Sequence, residues 1–466
     1  MVNGTGRGSS ERVSTQALYP LRSTVTRVAV LAILLVAACQ VIVLSQKLQY
    51  PPTRKVDVVD DYHGTKVPDP YRWLEDLESK ETAEWVAAQN RLTESYLAQH
   101  PIRNALRSRI QQLWNFRKTD LPLQENGRLF YRMNSGLQLQ SPLYMRDRLD
   151  ASPVEIIDPN VLWPDATTSL AAFAPSPDTR LLAYTFAKGG ADWQTIKLRN
   201  LVTGRDLDDE LEWMRFSGLS WTKDGKGFFY SRYPEPPAGK VLEAALSGHS
   251  LYYHLVGTPQ SQDRLIYTNR ANPTWFVTGE VTEDGRYLLI ATAKGADNTN
   301  RLYFVDLRNP NKPDVTAPIK PVFDEDDAEF APIGSRGSVL FVRTDRKAPN
   351  RKIIAVDLTK PAEANWKTIV PETSQAIEHA TVAGGRLFVE YLVDVKSQLA
   401  MFDPAGKPLG DVPLPGAGSL SGFLGRESSS TLFYALTSHL YPATVFAYDI
   451  QAGTSRPFER PRGPID

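Results

Sequence analysis

The sequence predicts a mainly β fold built from a repeated unit, and three observations predict it. Helical periodicity stops near residue 118. Beyond that point short apolar runs alternate with Gly, Asp and Pro turns. One strand-like run then recurs seven times, often ending near an acidic residue: PLYMRD (142–147), TIKLRNL (195–201), SLYYHLVGT (250–258), RLYFVDL (301–307), KIIAVDL (352–358), LAMFDP (399–404) and TVFAYDI (444–450). Anchored on Tyr144, Leu198, Tyr253, Phe304, Ala355, Met401 and Ala447, the steps are 54, 55, 51, 51, 46 and 46 residues. A period of roughly 50 residues leaves room for about four strands per unit and points to a β-propeller. Seven closing strands predict seven blades over 118–460. An irregular β-sandwich would not keep this period.

A second element precedes several of these strands. Ser176-Pro177-Asp178-Thr179, Thr222-Lys223-Asp224-Gly225 and Thr282-Glu283-Asp284-Gly285 each lead into an apolar run. Such polar turns reverse the chain tightly. Later copies shorten to Gly337-Ser338 and Gly385-Arg386. These are turns and not binding motifs.

Two helices precede the repeats. Ser79 is placed to cap the first, with Glu81 in its first turn. Trp85, Leu92 and Tyr96 form one stripe at helical spacing, and Ile102, Leu106, Ile110 and Leu113 form another. Residues 79–115 therefore hold two amphipathic helices whose stripes need a partner surface.

Residues 1–46 read as a targeting segment outside the fold. Arg22 and Arg27 precede VAVLAILLVAAC (28–39), and apolar character runs on to Leu44. Val36-Ala37-Ala38-Cys39 has the form of a lipoprotein signal, which makes Cys39 a candidate lipid-attachment residue. The same run is just long enough for a short uncleaved membrane anchor. A bacterial cell envelope follows from either reading, and the cytoplasm follows if the start codon is mis-assigned.

Composition excludes several function classes. Lys plus Arg and Asp plus Glu both number 53, so no basic surface argues for nucleic acid. A lone cysteine permits no internal disulfide. His63, His100, His249, His254, His379 and His439 are scattered, with no zinc-type spacing, so no metal or other cofactor is expected.

One stretch remains, DPYRWLED (69–76), too charged for plain core and too aromatic for plain loop. Together with Tyr50-Pro51-Pro52, Asp61-Tyr62-His63-Gly64 and Val67-Pro68 it closely resembles the N-terminal signature of prolyl oligopeptidases. The resemblance continues through Trp85-Val86, Gln89-Asn90, Gly136-Leu137-Gln138, Asp192-Trp193, Trp221 to Gly227, and Leu251-Tyr252-Tyr253-His254. It covers roughly residues 50–460.

The resemblance implies a serine endopeptidase that cleaves short peptides after proline, with the propeller restricting access. It implies that the helical segment 47–117 packs on an α/β-hydrolase domain, and that Tyr71, Arg72 and Trp73 serve that packing. Carried over by motif, Phe216, Phe276 and Ala296 would line the peptide site. The family often has Met and Cys at the last two positions.

The catalytic part has no counterpart here. No Gly-x-Ser-x-Gly occurs, and Gly418-Ser419-Leu420-Ser421-Gly422 puts Leu420 where the nucleophile would stand. No residue is assigned a catalytic role. The expectation is a chain inactive by itself, whose partners are a hydrolase half and short proline-containing peptides. The alternative is a non-catalytic propeller that binds a peptide or protein.

Overall fold

The computed structural model describes residues 48–77, 79–237, 241, 245–295, 297–439 and 442–459. Cys39 and the leader lie outside the described residues. Among the described residues no helix is long and apolar enough to cross a membrane. Two compact units divide between Arg107 and Ser108.

The first unit begins with a hairpin, Val59–Tyr62 against Thr65–Pro68. Its turn needs left-handed backbone at His63 and Gly64, and the Gly64 amide donates to Asp61 at 2.6 Å. DPYRWLED follows as a single 3-10 turn, Arg72–Glu75. Its charges and rings are largely used inside this unit. Arg72 pairs with Asp69 at 2.6 Å and with Asp60. The Trp73 indole donates to the Arg54 carbonyl at 2.8 Å, and the Arg54 guanidinium lies over its ring. Helix α1, Lys80–Ala98, starts at the expected cap, with Ser79 Oγ accepting from the Thr82 amide. Helix α2 runs Arg103–Trp114. Tyr96 and Leu97 on α1, Ile102 in the turn between the helices, and Leu106 and Ile110 on α2 are exposed.

The second unit is mainly β, and all seven predicted closing strands are strands. They fall into six sheets of antiparallel strands, in which sequence neighbours pair except where Lys118–Thr119 skips Leu123–Glu125 to reach Arg128–Asn134. The first is five-stranded (Lys118–Thr119 to Val154–Ile157) and the second seven-stranded (Thr168–Pro175 to Arg264–Thr268). Four four-stranded sheets follow, beginning at Phe276–Val281, Phe330–Arg336, Ile377–Ala383 and Ser419–Gly425.

Seven blades were expected, whereas the described strands of this unit form six sheets, one of them with a long strand at its centre. Asp206–Trp221 pairs with Gln194–Asn200 through its first half and with Gly227–Arg232 through its second. Its register breaks between Met214 and Leu219, and Trp213 and Phe216 both take positive φ there (64° and 52°).

Alternation explains how the sheets stack. In Tyr287–Ala293 of the third sheet, Leu288 and Ile290 face the second sheet while Tyr287 and Leu289 face the fourth. Both faces are buried, so inner strands read as unbroken apolar runs. Successive sheets are joined in this way around the unit, and the sixth closes onto the first. Tyr131 and Leu129 pack with Phe433, Val445 and Phe458. Arg146 pairs with Glu459, whose other oxygen takes Arg117 at 2.9 Å.

The polar turns share one design. Ser176, Thr222 and Thr282 donate their hydroxyls to Asp178, Asp224 and Asp284 at 2.6, 2.8 and 2.6 Å. The fourth residue is left-handed in each, and two of the three are glycines, Gly225 and Gly285. Such turns end the first strand of a four-strand group and surround one end of a central cavity of about 750 Å³.

Candidate functional site

The break in the long strand builds an aromatic cluster between the second and third sheets. Left-handed backbone turns Phe216 out of the strand, and its ring meets that of Phe276 at 5.1 Å. Phe216 is 43 % exposed, so the pair presents an apolar wall to solvent. Ala296, the third expected member, lies outside the described residues.

Behind the wall stand residues that motif reasoning did not assign. The Arg215 guanidinium sits 4.7 Å from the Phe216 ring and 5.3 Å from that of Trp193, and pairs with Asp192. Trp193 meets Tyr233 edge-on at 5.8 Å, Tyr233 meets His249 at 4.6 Å, and His249 meets Phe276 at 5.9 Å. The contacts thus close on themselves. Burial pushes the Tyr233 hydroxyl above its ordinary range, and among the described residues it has no hydrogen-bond partner.

His249 sets the geometry. Its Nε2 donates to the Arg215 carbonyl at 2.9 Å, and its Nδ1 accepts from the Val277 amide at 2.9 Å. The two bonds require opposite roles of the two nitrogens, so the ring is neutral and its tautomer is set. Burial pushes its pKa down to about 4, against the upward pull of the Arg215 carbonyl. Sequence spacing carried no sign of this bridge, since its partners come from two different sheets.

The central cavity is the second feature. Glu280 stands in its wall, and the enclosing protein raises its carboxyl above the usual range while Arg426 opposes the rise. At the turn-lined end, charged groups tie distant sheets together. Glu283 accepts from the amides of Glu427 and Ser428 at 2.8 and 3.1 Å. Its own carbonyl takes Lys223 Nζ at 3.0 Å. Arg336 pairs with Glu427 at 3.0 Å, and Arg426 pairs with Glu125.

Neither Ser397 nor the Ser419-Leu420-Ser421 run is arranged as an activated nucleophile. Ser397 donates to Glu390 at 2.6 Å, and His379 Nδ1 meets the same carboxylate at 3.0 Å. The hydroxyl is thus held by the acid and not by the imidazole, the reverse of what an activated serine needs. Ser419-Leu420-Ser421 lies within the strand Ser419–Gly425, with Leu420 buried, and forms no sharp strand-to-helix turn. Among the described residues no cluster of His, Cys, Asp and Glu is placed to hold a metal.

The family model described as "Prolyl oligopeptidase, N-terminal beta-propeller domain" matches residues 50–461. The chain belongs to the prolyl oligopeptidase family. A prolyl endopeptidase of Elizabethkingia meningoseptica is 37 % identical over 418 residues, covering 90 % of this chain and 58 % of that protein. Prolyl oligopeptidase A of Amanita bisporigera is 32 % identical, covering 86 % of this chain and 56 % of that protein. Among solved structures, prolyl oligopeptidase B of Galerina marginata, bound to a 25mer macrocyclization substrate, aligns with a TM-score of 0.78 at 28 % identity. That alignment covers 90 % of this chain and 62 % of its own. The chain thus spans under two thirds of the prolyl oligopeptidases it matches, and its propeller falls in the shared part.

Proposed function

We propose that this chain is the N-terminal and propeller portion of a prolyl-oligopeptidase-like serine endopeptidase acting on short peptides after proline. The observation that carries the reading is the family match over 50–461 together with the shared propeller. In this reading the Phe216–Phe276 wall receives an apolar side chain of the peptide. The propeller limits access by size, a role supported by the ties of Glu283, Arg336 and Arg426 around one end of the cavity.

We read the propeller as seven-bladed, with Asp206–Trp221 serving two blades. Support comes from the apolar cluster that packs Leu198 and Leu211 against Trp221 and Phe228 within the seven-stranded sheet, just as the other clusters pack successive sheets. Residues 47–117 are the segment that docks on a hydrolase domain, and the exposed Ile102, Leu106 and Ile110 suit such a surface. Residues 1–46 direct the protein to the bacterial envelope.

The nucleophile, base and oxyanion donors are supplied by a hydrolase half. A purified 47–466 polypeptide neither hydrolyses a Gly-Pro chromogenic peptide nor reacts with a fluorophosphonate, and it self-associates in size-exclusion chromatography. Stoichiometric labelling overturns the reading. A second reading, a stand-alone peptide-binding propeller, is favoured by the exposed Phe216–Phe276 wall, which needs no catalytic group to hold an apolar side chain. The native mass separates the two. An immunoblot band larger than 52.0 kDa by one domain supports the peptidase, and a band at that mass with a monomeric profile supports the binding module.

A further inference from the structure

The seven-stranded sheet encloses a second histidine whose surroundings are the opposite of those of His249. His254 is fully buried on the strand Ser250–Leu255. Its Nδ1 lies 2.7 Å from Asp263 Oδ1 and its Nε2 lies 2.9 Å from Asp209 Oδ1. Both aspartate side chains are themselves buried. Carboxylate oxygens accept, so each ring nitrogen has to donate, and only the imidazolium carries two N–H groups.

Each neighbouring element contributes to this knot. From the strand Gly227–Arg232, the Tyr230 hydroxyl donates to Asp263 Oδ2 at 2.5 Å, and the Phe228 ring packs on the imidazole at 5.3 Å. Arg232 on the same strand is near enough to act on Tyr230. From the loop after His254, the Gly257 amide donates to Asp209 Oδ1 at 2.6 Å. From the 3-10 turn Gln260–Gln262, Gln260 bonds to Tyr230 and to both backbone groups of Glu212. Two carboxylates thus share one cation, Tyr230 satisfies the second oxygen of Asp263, and Gly257 gives Asp209 Oδ1 a second donor.

We propose that His254 is at neutral pH a buried imidazolium, held by Asp209 and Asp263, that locks the first half of the strand Asp206–Trp221 in place, and that its deprotonation in alkali unlocks the aromatic cluster carried further along that strand. Asp209 and Glu212 are the gripped positions, and Arg215 and Phe216 follow directly. Loss of one proton leaves a ring lone pair facing a carboxylate in a buried site, a repulsive contact that the strand relieves by moving. Burial by itself lowers the pKa of this ring, but the two carboxylate hydrogen bonds together outweigh it and leave the pKa raised. The inference rests on this geometry and stands independently of whether the aromatic wall receives a peptide.

The test uses the full chain with 15N-labelled histidine. Imidazolium 15N shifts at both His254 nitrogens at pH 7, with deprotonation only well into alkali, are expected. The emission of Trp193 and Trp213 then changes over that same pH range. In Asp263→Asn the His254 titration moves down by about one pH unit or more, a tenfold or greater loss of proton affinity, and the emission change moves with it. A neutral His254 tautomer at pH 7 overturns the imidazolium. An emission change that stays put in Asp263→Asn overturns the lock. If Asp263→Asn does not fold, Asp209→Asn supplies the same comparison.

Discussion

The ring of Phe216 meets that of Phe276 at 5.1 Å, although the two residues belong to different sheets. The backbone carries a cost for it, because a phenylalanine at φ 52° stands in a region that L-residues with a Cβ avoid.

That cost makes Phe216 testable without a substrate. Phe216→Ala keeps the strained backbone and loses only a half-exposed ring, whereas Phe216→Gly also relieves the strain. The glycine variant melts no lower than the alanine variant, by differential scanning calorimetry. An alanine variant melting clearly higher would show that the backbone at Phe216 is not strained.

His249 gives the fold an acid limit. Its folded pKa, about 4, lies below the ordinary histidine value. The unfolded chain therefore binds more protons between these values, and stability falls as pH drops. The contribution is complete above about pH 6.5 and gone below about pH 4, a loss of about 3 kcal/mol. His249→Leu is less stable at pH 7 by about 2–4 kcal/mol, since the Arg215 carbonyl and Val277 amide lose their partner. Its gap to the parent narrows toward pH 4 in urea titrations, and a constant gap would refute the buried neutral ring.

Glu459 closes the ring of sheets through Arg146 and Arg117. The Arg146 and Glu459 side chains are 11 % and 14 % exposed, so removing the carboxylate leaves a largely buried guanidinium unpaired. Glu459→Gln lowers stability by about 2–4 kcal/mol. Hydrogen exchange accelerates first in Arg128–Asn134 and Thr444–Asp449, the strands that carry Tyr131, Val445 and Ala447 at this junction. Uniform acceleration over all six sheets would refute a local seam.

In the first unit, Ser79 caps α1 through the Thr82 amide at 3.1 Å and also donates to Thr82 Oγ1 at 2.9 Å. Ser79→Ala costs about 1 kcal/mol, and Ser79→Asp restores most of it. Helicity measured by circular dichroism follows the same order.

Much of this architecture is legible in the sequence. The recurring runs from PLYMRD to TVFAYDI are strands because they are apolar, short and bounded by turns, all local properties. The Asp-Gly turns close through a hydroxyl two residues away from the aspartate, again a local interaction. Ser79 needed only its neighbours to act as a cap.

The rest depended on partners far apart in sequence. That Asp206–Trp221 is one strand spanning two four-strand groups follows from pairing on both sides, which no single segment encodes. The partners of Arg72 and Trp73 within their own unit, Asp60, Asp69 and Arg54, were likewise hidden, because the hairpin has to fold back to meet them. His249 and His254 look alike as residues in a list of six. The sequence by itself determined the strands, turns, helix start and family. Only the tertiary structure decided that one histidine is buried between a carbonyl and an amide, and the other between two carboxylates. The physical reason is that burial and hydrogen-bond partners set a side chain's charge, and both come from elements that meet only in the folded chain.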